Sequence, residues 1–289
     1  MVEPRISVLI PTLQAERWLG PLVEVLDAQE VSGGHELVVV DSDSSDQTCR
    51  ILREAGARVE RISREQFGHG RTRNQLASLA RGEVLVFLSQ DALPQGRDFL
   101  ERISAPLSGE GVAGVTARVL PNEGDDPLTA RTALDAPEAG LEFRTWGAEE
   151  LAREPVRFND VASAMRAEVW REIPFPDVSF GEDVAWAEAA VRAGWTIAFE
   201  PSAVVRHAHA YSPAEAFRRY RTDARFLLEQ RGIRVRTGPV SCLRGFVHEL
   251  RADWRYLSRE RGGWHHLLRA PALRGAQILG QWAGSRGWG

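Results

Sequence analysis

One continuous apolar stretch, Val84–Leu88, constrains the fold of this chain more than any other feature. Five consecutive apolar residues are typical of a strand that is buried on both faces, as in a parallel sheet. The stretch runs on to a carboxylate, Asp91, which is followed by Pro94 and Gly96. Because ligands of open α/β sheets bind outside the carboxyl ends of the strands, Asp91 stands where a site is expected. A metal ion is one partner for its charge, and a structural cap of the following turn is the alternative.

Strand patterns alternate with helix patterns through the first half of the chain. Strands are predicted at residues 6–10, 37–40, 58–62, 84–88 and 112–115, and helices at residues 15–28, 47–55 and 72–80. Thr72 is the expected N-cap of the third helix. This alternation predicts an α/β fold with a parallel, doubly wound sheet.

The second half is less regular. Residues 121–155 are rich in Gly, Pro, Asp and Glu, which favours a mobile loop or lid. A helix is then predicted at residues 184–193, and strands at 196–199 and 204–209. Amphipathic helices follow from about residue 213. The expected organisation is therefore a catalytic domain over residues 1–212 and an Arg-rich helical region over residues 213–289.

The net charge of −4 hides an asymmetry along the chain. From Ala216 to the end there are 15 Arg residues against five acidic residues, and the whole chain contains no Lys. This basic region suits peripheral contact with an anionic membrane surface. The alternative is a helical pair that packs on the body or on a second subunit, as in a homodimer. Nucleic-acid binding is not expected, because no motif for reading nucleic acid accompanies the charge.

The location of the protein is predicted from what the sequence does not contain. Strand-like sequence follows Met1 at once, so no signal peptide is expected, and no apolar run approaches the roughly 20 residues of a membrane span. The two cysteines have neither metal-site spacing nor a disulfide pattern. A cytoplasmic protein, peripheral at the inner face of the membrane, is the expectation.

A small set of charged side chains makes up the candidate site. Asp41 and Asp91 end predicted strands, and His207 and His209, two apart on a predicted strand, point to one face. Carboxylates suit Mg²⁺ and Mn²⁺, and an imidazole favours Mn²⁺. Binding of a divalent cation by Asp91 and one of these histidines is therefore one interpretation. The alternative is that one or both histidines pack structurally or face solvent.

Two further motifs have a functional and a structural interpretation. Glu182 and Asp183 follow Gly181 at the N-terminus of a predicted helix. There they supply either a general base or a helix cap. Arg71 and Arg73 flank a Gly-rich turn, where they hold phosphate or form a solvated surface. No G-x-G-x-x-G motif follows the first strand, so a dinucleotide-binding fold has no support.

Taken together, these motifs resemble those of a family 2 glycosyltransferase of GT-A fold. The resemblance rests on residues 6–12, 38–42, 45–46, 72–74, 87–92 and 181–183. The finer pattern at residues 67–74, 90–92 and 207–209 looks most like the rhamnosyltransferase branch. The family's D-x-D element reads Ser89-Gln90-Asp91 here, so one acid is missing, and Gln14 replaces the usual Asn.

The resemblance assigns a role to each matching residue. A pocket for the nucleotide of a nucleoside diphosphate sugar is implied at Pro11, Thr12, Glu16, Asp41, Arg73 and Gln90. Asp91 and His207 are implied to bind Mn²⁺ or Mg²⁺. Asp183, with Glu182 as its neighbour, is the implied catalytic base.

The mechanism implied by the resemblance is direct displacement with inversion, with rhamnose on thymidine diphosphate as the expected donor. The acceptor is a hydroxyl of a glycan, a lipid-linked sugar or a small molecule. Two alternatives remain at this point. A sugar-phosphate nucleotidyltransferase shares the early α/β pattern but normally needs a Gly-rich loop with Lys. A non-catalytic module that binds nucleotide or glycan is the other.

Overall fold

The computed structural model of the protein describes residues 3–178, 180–259 and 263–287. The chain divides into two compact units. The first unit consists of Met1–Leu120 and Ala136–His207, and the second of Pro121–Asp135 and Ala208–Gly289. The second unit therefore includes a short segment from the middle of the chain. The domain boundary after residue 212 remains a prediction.

The first unit contains a mixed sheet flanked by helices. Its strands are β1 (Ile6–Thr12), β2 (His35–Asp41), β3 (Arg58–Arg61), β4 (Val84–Leu88), β5 (Leu93–Pro94), β6 (Val112–Leu120), β7 (Arg144–Trp146), β8 (Ala162–Arg166) and β9 (Thr196–Arg206). Its helices are α1 (Glu16–Asp27), α2 (Thr48–Glu54), α3 (His69–Leu79), α4 (Phe99–Ser104), α6 (Ala148–Leu151), α7 (Ala167–Glu172) and α8 (Glu182–Arg192), with short 3₁₀ turns at Arg64–Gln66, Ala105–Ser108 and Pro137–Ala139. The second unit contributes α5 (Pro127–Leu134), α9 (Pro213–Arg231), α10 (Pro239–Arg259) and α11 (His266–Gly284).

In the described part of the chain, the sheet has nine strands in the order β3-β2-β1-β4-β8-β6-β9-β5, with β7 beside β9. The first four strands in this order are mutually parallel. Strand β8 is antiparallel to both β4 and β6, whereas β6 and β9 are parallel. The predicted α/β fold class is confirmed, and the carboxyl ends of β1, β2 and β4 share one edge.

Strand β4 is buried on both faces, as its apolar run predicts. Val86 and Leu88 pack into a core with α1 and α4 on one side of the sheet. Leu85 and Phe87 pack into a second core with α3 and α8 on the other. Successive side chains of a strand point to opposite faces, so a strand between two helical layers must be apolar throughout.

Three local predictions are wrong. Residues 121–155 are not an irregular loop, because they contain α5, β7 and α6. Helix α3 begins at His69 and not after Thr72, since the Thr72 N–H already donates to the Gly68 carbonyl within the first turn. The two strands predicted at residues 196–209 form a single strand, β9, which ends at Arg206.

The end of β9 leaves both histidines outside the sheet. Its parallel neighbour β6 ends at Leu120, whose carbonyl accepts the His207 N–H at 2.8 Å. In the described part of the chain, neither β6 nor β5 pairs with β9 beyond Arg206. The prediction that His207 and His209 share a strand face is therefore wrong. His207 closes the first unit, and His209 belongs to the second.

The second unit is helical, and glycines set its closest packing. A Cβ atom at Gly280 or Gly284 of α11 would lie 2.4 Å from the Phe217 carbonyl oxygen or 2.2 Å from that of Arg221. Both carbonyls belong to α9, so only glycine allows the two helices to approach this closely. Among the described residues, no helix is both long and apolar enough to cross a membrane.

Buried charges also hold the second unit together. Asp253 of α10 is fully buried and accepts two hydrogen bonds of 2.8 Å from Arg274 of α11. The Arg131 side chain of α5 lies 2.8 Å from the same carboxylate and donates to Glu249 at 2.6 Å. Two buried guanidinium groups therefore share two carboxylates, which offsets the cost of removing these charges from water.

We expect Asp253→Asn to lower the free energy of unfolding by about 3–5 kcal/mol, because two buried cations lose their shared anion. Urea-induced unfolding, followed by circular dichroism, measures the loss. Glu229→Gln is the matched control, since Glu229 makes an exposed ion pair with Arg225 in the same unit. The control should cost no more than about 1 kcal/mol. Equal losses for the two variants would contradict the assigned role of Asp253.

Candidate active site

The first part of the site lies where β1 and β2 end side by side. In their parallel register Pro11 is opposite Val40, and Thr12 is opposite Asp41. Asp41 is fully buried, and its carboxylate accepts hydrogen bonds from the Thr12 hydroxyl at 2.9 Å and the Ser44 hydroxyl at 2.6 Å. A buried carboxylate needs such donors. Asp41 therefore fixes the turn after β2.

The turns after β1 and β4 are tied together by one amide. Gln90 accepts a hydrogen bond from the Leu13 N–H at 2.8 Å and donates to the Leu13 carbonyl at 3.1 Å. Gln14 follows with a left-handed φ of 50° and accepts the N–H groups of Ser45 and Asp46. The departure at Gln14 thus has a structural role, because its longer side chain reaches the turn after β2.

The side chain of Glu16 also accepts a hydrogen bond from the backbone in this region. Its carboxylate accepts the Gln47 N–H at 3.0 Å, immediately before α2 begins. Glu16 is exposed, and Pro11 is half-buried. The structure therefore brings the predicted nucleotide residues Pro11, Thr12, Glu16, Asp41 and Gln90 to one edge of the sheet. Their contact with a nucleotide stays a prediction.

A second group forms where the turn after β4 meets the end of β9. The Nε2 atom of His207 lies 3.4 Å from the Oδ1 atom of Asp91. Both side chains are largely buried, at 13% and 16% exposure. Neighbouring ligands of one octahedral ion with bonds of about 2.1–2.2 Å lie about 3 Å apart. The spacing and the oxygen and nitrogen donors therefore fit a shared Mn²⁺ or Mg²⁺ ion.

The third group surrounds Arg73, which is only 8% exposed. Its guanidinium donates to the carboxylate of Glu182 and lies 2.8 Å from that of Asp160. The contact with Asp160 is an ion pair without hydrogen-bond geometry. Burial raises the pKa of Asp160 to about 7, although Arg73 opposes this effect. Burial also raises the pKa of Glu182 above its ordinary value, again against the effect of Arg73.

Close packing between α3 and the loop before α8 brings Arg73 to Glu182. A Cβ atom at Gly70 would lie 2.3 Å from the Pro176 carbonyl oxygen, so only glycine fits at this contact. Asn74, one turn later, donates to the Phe175 carbonyl at 2.9 Å and accepts the Phe175 N–H at 2.9 Å. Both residues therefore hold the loop that leads into α8.

Asp183 lies in the first turn of α8, directly after Glu182. Gly181 precedes the helix with a left-handed φ of 74°, which favours glycine. The carboxylate of Asp183 accepts the Val184 N–H at 2.8 Å and the Asp160 N–H at 3.3 Å. Both donors are backbone N–H groups, so they fix the orientation of the Asp183 carboxylate at the start of the helix. Asp183 is only half-buried, so unlike Glu182 it can reach a ligand.

A backbone hydrogen bond links the second group to the third. The Ser89 N–H, two residues before Asp91, donates to the Val161 carbonyl at 3.0 Å. Val161 follows Asp160, whose N–H binds Asp183. The turn after β4 and the start of α8 are therefore neighbours in the fold, although they lie about 90 residues apart in the sequence.

A cavity of about 440 Å³ borders this region within the first unit. Its wall includes Asn159, the residue before Asp160. Aromatic side chains and polar groups line it together, which is typical of small-molecule sites. Among the lining residues are Trp146, Phe158, Phe199, Glu142, Arg144, Arg157 and Asn159.

Sequence reasoning missed Asp160. It lies shortly before β8 and belongs to none of the family motifs. The structure brings it to Arg73 and Asp183, and the Ser163 hydroxyl donates to it at 2.5 Å. An acid directly before an apolar strand was the available signal.

Comparison with known proteins identifies the family. A model described as "Glycosyltransferase like family 2" matches residues 4–224. The O-antigen chain rhamnosyltransferase WbaN of Salmonella anatum is 31% identical over 226 residues, covering 75% of this chain and 70% of that protein. The O-antigen chain rhamnosyltransferase RfbN of Salmonella typhimurium is 32% identical over 224 residues, with the same coverage.

The chain belongs to glycosyltransferase family 2. The fold agrees with this assignment. The mannosyltransferase PcManGT of Pyrobaculum calidifontis, solved with GDP-Man and Mn²⁺, has a TM-score of 0.64 and 18% identity, over 98% of this chain and 87% of that one. The family 2 enzyme described here is therefore a glycosyltransferase of GT-A fold. Of the alternatives drawn from the sequence, the match supports transfer of sugar over transfer of nucleotide.

The buried ion pairs of this glycosyltransferase predict a pH-dependent effect of Arg73→Met. Without the guanidinium, the pKa values of Asp160 and Glu182 rise further, because the cation that lowers them is gone. The native state then holds protons that the unfolded chain releases, so the free energy of unfolding falls as pH rises. We expect a loss of about 3–5 kcal/mol at pH 8 and a smaller loss at pH 5.

Urea-induced unfolding at the two pH values measures this effect. Arg71→Met is the control on the same helix, because Arg71 makes an exposed ion pair with Asp177 at 3.2 Å. It should cost no more than about 1 kcal/mol at either pH. A loss for Arg73→Met that is the same at both pH values would contradict the role of the carboxylates.

Proposed function

We propose that this enzyme transfers a sugar, with rhamnose as the leading candidate, from a nucleoside diphosphate sugar to an acceptor hydroxyl with inversion at the anomeric carbon. The observation that carries the proposal is the contact of 3.4 Å between Asp91 and His207 at the carboxyl edge of the sheet. A carboxylate and an imidazole from distant segments meet there in a family 2 glycosyltransferase. The names of WbaN and RfbN support rhamnose as the sugar.

Asp91 and His207 would hold a divalent cation, Mn²⁺ or Mg²⁺. Bound there, the cation would supply positive charge near the departing diphosphate. The structure of PcManGT, which was solved in complex with GDP-Man and Mn²⁺, supports such a combination of ligands. Pro11, Thr12, Glu16, Asp41 and Gln90 would form the side of the site that faces the nucleotide.

Asp183 would act as the general base. In the proposed step its carboxylate takes the proton of the acceptor hydroxyl while the hydroxyl oxygen attacks the anomeric carbon. The bond from that carbon to the diphosphate oxygen breaks on the opposite face, and the electron pair leaves with the diphosphate. The half-buried position of Asp183 and its hydrogen bond from the Asp160 N–H support this role, since a base must be both accessible and oriented.

Arg73 would serve this base indirectly. Its observed partners, Asp160 and Glu182, are carboxylates that flank Asp183. The guanidinium would keep the three acidic groups together at neutral pH. This role is favoured over direct contact with the diphosphate, because Arg73 is buried and already paired.

The cavity beside Asn159 would receive the acceptor. Asn159 and Asp160 are consecutive, and the Asp160 N–H binds the proposed base. Aromatic side chains offer apolar surface to the ring faces of a sugar, and Glu142, Arg144 and Arg157 offer hydrogen bonds to its hydroxyl groups.

Replacement of the base is the direct test. We expect Asp183→Asn to lower release of nucleoside diphosphate by about 10²–10⁴-fold, the usual contribution of general-base catalysis. The assay uses a panel of nucleotide sugars that includes thymidine diphosphate rhamnose, with Mn²⁺ and either water or added glycan as acceptor. Nucleotide binding should be unchanged, because the carboxamide has the same shape.

Asp177→Asn is the matched control for this test, since Asp177 lies in the loop before α8 and is 70% exposed. It should keep full activity. Full turnover by a folded Asp183→Asn variant would remove Asp183 as the base. Absence of turnover by the unaltered enzyme with every sugar of the panel would contradict the proposed donor class.

The metal site has its own test. Calorimetric titration with thymidine diphosphate should give tight binding only in the presence of Mn²⁺. We expect Asp91→Asn and His207→Gln each to weaken this Mn²⁺-dependent binding at least tenfold, since each removes a ligand. Asp98→Asn is the control, because Asp98 makes an exposed ion pair with Arg102. Unchanged Mn²⁺ dependence in both site variants would place the ion elsewhere.

A further inference from the structure

The outer surface of α10 carries both apolar and basic side chains. Val240, Leu243 and Trp254 are 64%, 64% and 59% exposed, although apolar side chains of this size are normally covered. Arg244, Arg251 and Arg255 are exposed as well. We call these six residues the outer α10 face.

Helical geometry places the outer α10 face in one continuous stripe. At 100° per residue, Val240, Leu243 and Trp254 form one edge of the stripe. Arg244, Arg251 and Arg255 form the other edge. The buried residues Gly245, Asp253 and Leu257 lie on the opposite side of the helix. One side of the helix is therefore packed, and the outer side carries an apolar edge next to a basic edge.

The arginines of the outer α10 face have no acidic partner among the described residues. Within the described residues, the guanidinium groups of Arg244, Arg251 and Arg255 make no ion pair. On α9, by contrast, Arg225 is paired with Glu229 at 2.7 Å. The acidic residues of α10 that could neutralise its arginines, Glu249 and Asp253, are turned inward to Arg131 and Arg274. The outer α10 face therefore carries uncompensated positive charge.

We propose that the outer α10 face docks on the surface of an anionic lipid bilayer. The arginines would bind lipid phosphates, and Trp254 would lie at the level of the headgroups. Leu243 and Val240 would enter the boundary of the acyl chains. A shallow hollow of about 400 Å³, lined by Arg244, His248, Arg251 and Arg255 with Leu243 and Val247, offers space for a headgroup phosphate.

Charge favours a bilayer over a second copy of this chain. A two-fold symmetric contact would bring the same patch of both subunits together. Six unpaired guanidinium groups would then face one another, without an acidic group on the patch to separate them. An anionic bilayer has the complementary charge. The proposal does not depend on which sugar the enzyme transfers.

Co-sedimentation of the full chain with vesicles tests the proposal. One set of vesicles contains phosphatidylcholine alone, and the other mixes phosphatidylcholine with phosphatidylglycerol. Near an anionic surface each arginine is worth about fivefold in partitioning, so the triple variant Arg244→Gln, Arg251→Gln, Arg255→Gln should bind the anionic vesicles about 100-fold more weakly. Added salt should weaken binding of the unaltered protein, because it screens the charges.

A second triple variant is the matched control. Arg50→Gln, Arg192→Gln and Arg225→Gln remove the same total charge from exposed arginines that are paired with acids. This variant should bind anionic vesicles as the unaltered protein does. Replacement of Leu243 and Trp254 by Ala should reduce binding several-fold, because the apolar edge is lost.

Three results would overturn the proposal. The first is equal binding of the unaltered protein to both kinds of vesicle. The second is equal loss in the two triple variants, which would show a general effect of net charge. The third is a dimer, measured by light scattering without lipid, that the α10 triple variant abolishes. That last result would assign the outer α10 face to a second copy of this chain.

Discussion

The buried guanidinium of Arg73 is the interaction on which the candidate site depends. Three acidic residues, Asp160, Glu182 and Asp183, lie around it. Without a cation among them, their carboxylates would repel one another, and the pKa values of Asp160 and Glu182, which burial already raises, would rise further. Arg73 therefore allows three acidic side chains to lie together at the start of α8. The close contact at Gly70 places Arg73 there.

The sheet explains why the rest of the site assembles. Parallel strands β1, β2 and β4 end at one edge, and each is followed by a turn with polar side chains. Asp41 fixes the turn after β2, and Gln90 joins the turn after β4 to that after β1. The antiparallel strand β8 lies beside β4 and brings Asp160 to the same edge. Because β8 runs antiparallel to β4, Asp160, which precedes β8, lies at the edge where the parallel strands end.

In the second unit, buried ion pairs stabilise the packing of the helices and take no part in a site. Arg131 and Arg274 are buried against Asp253 and Glu249, and nothing in that network is free to meet a ligand. Because these acids face inward, the arginines on the other side of α10 are left without counter-charges. One arrangement of side chains therefore gives a stable helical unit and a basic, partly apolar surface.

The sequence by itself determined the elements with strong periodicity: the apolar strands, the helices between them, and the acids that follow β2 and β4. These features are visible in short stretches of sequence. A strand that is buried on both faces needs an unbroken apolar run, and the polar turn that follows a parallel strand comes directly after that run. The family motifs also lie in such segments. The tertiary structure alone decided the position of β8, the end of β9 before His207, and the helix within residues 121–135. It also decided that Asp160 joins Arg73. Each of these depends on which strand or helix lies alongside, and a pairing between residues roughly 90 to 140 positions apart leaves no local pattern in the chain.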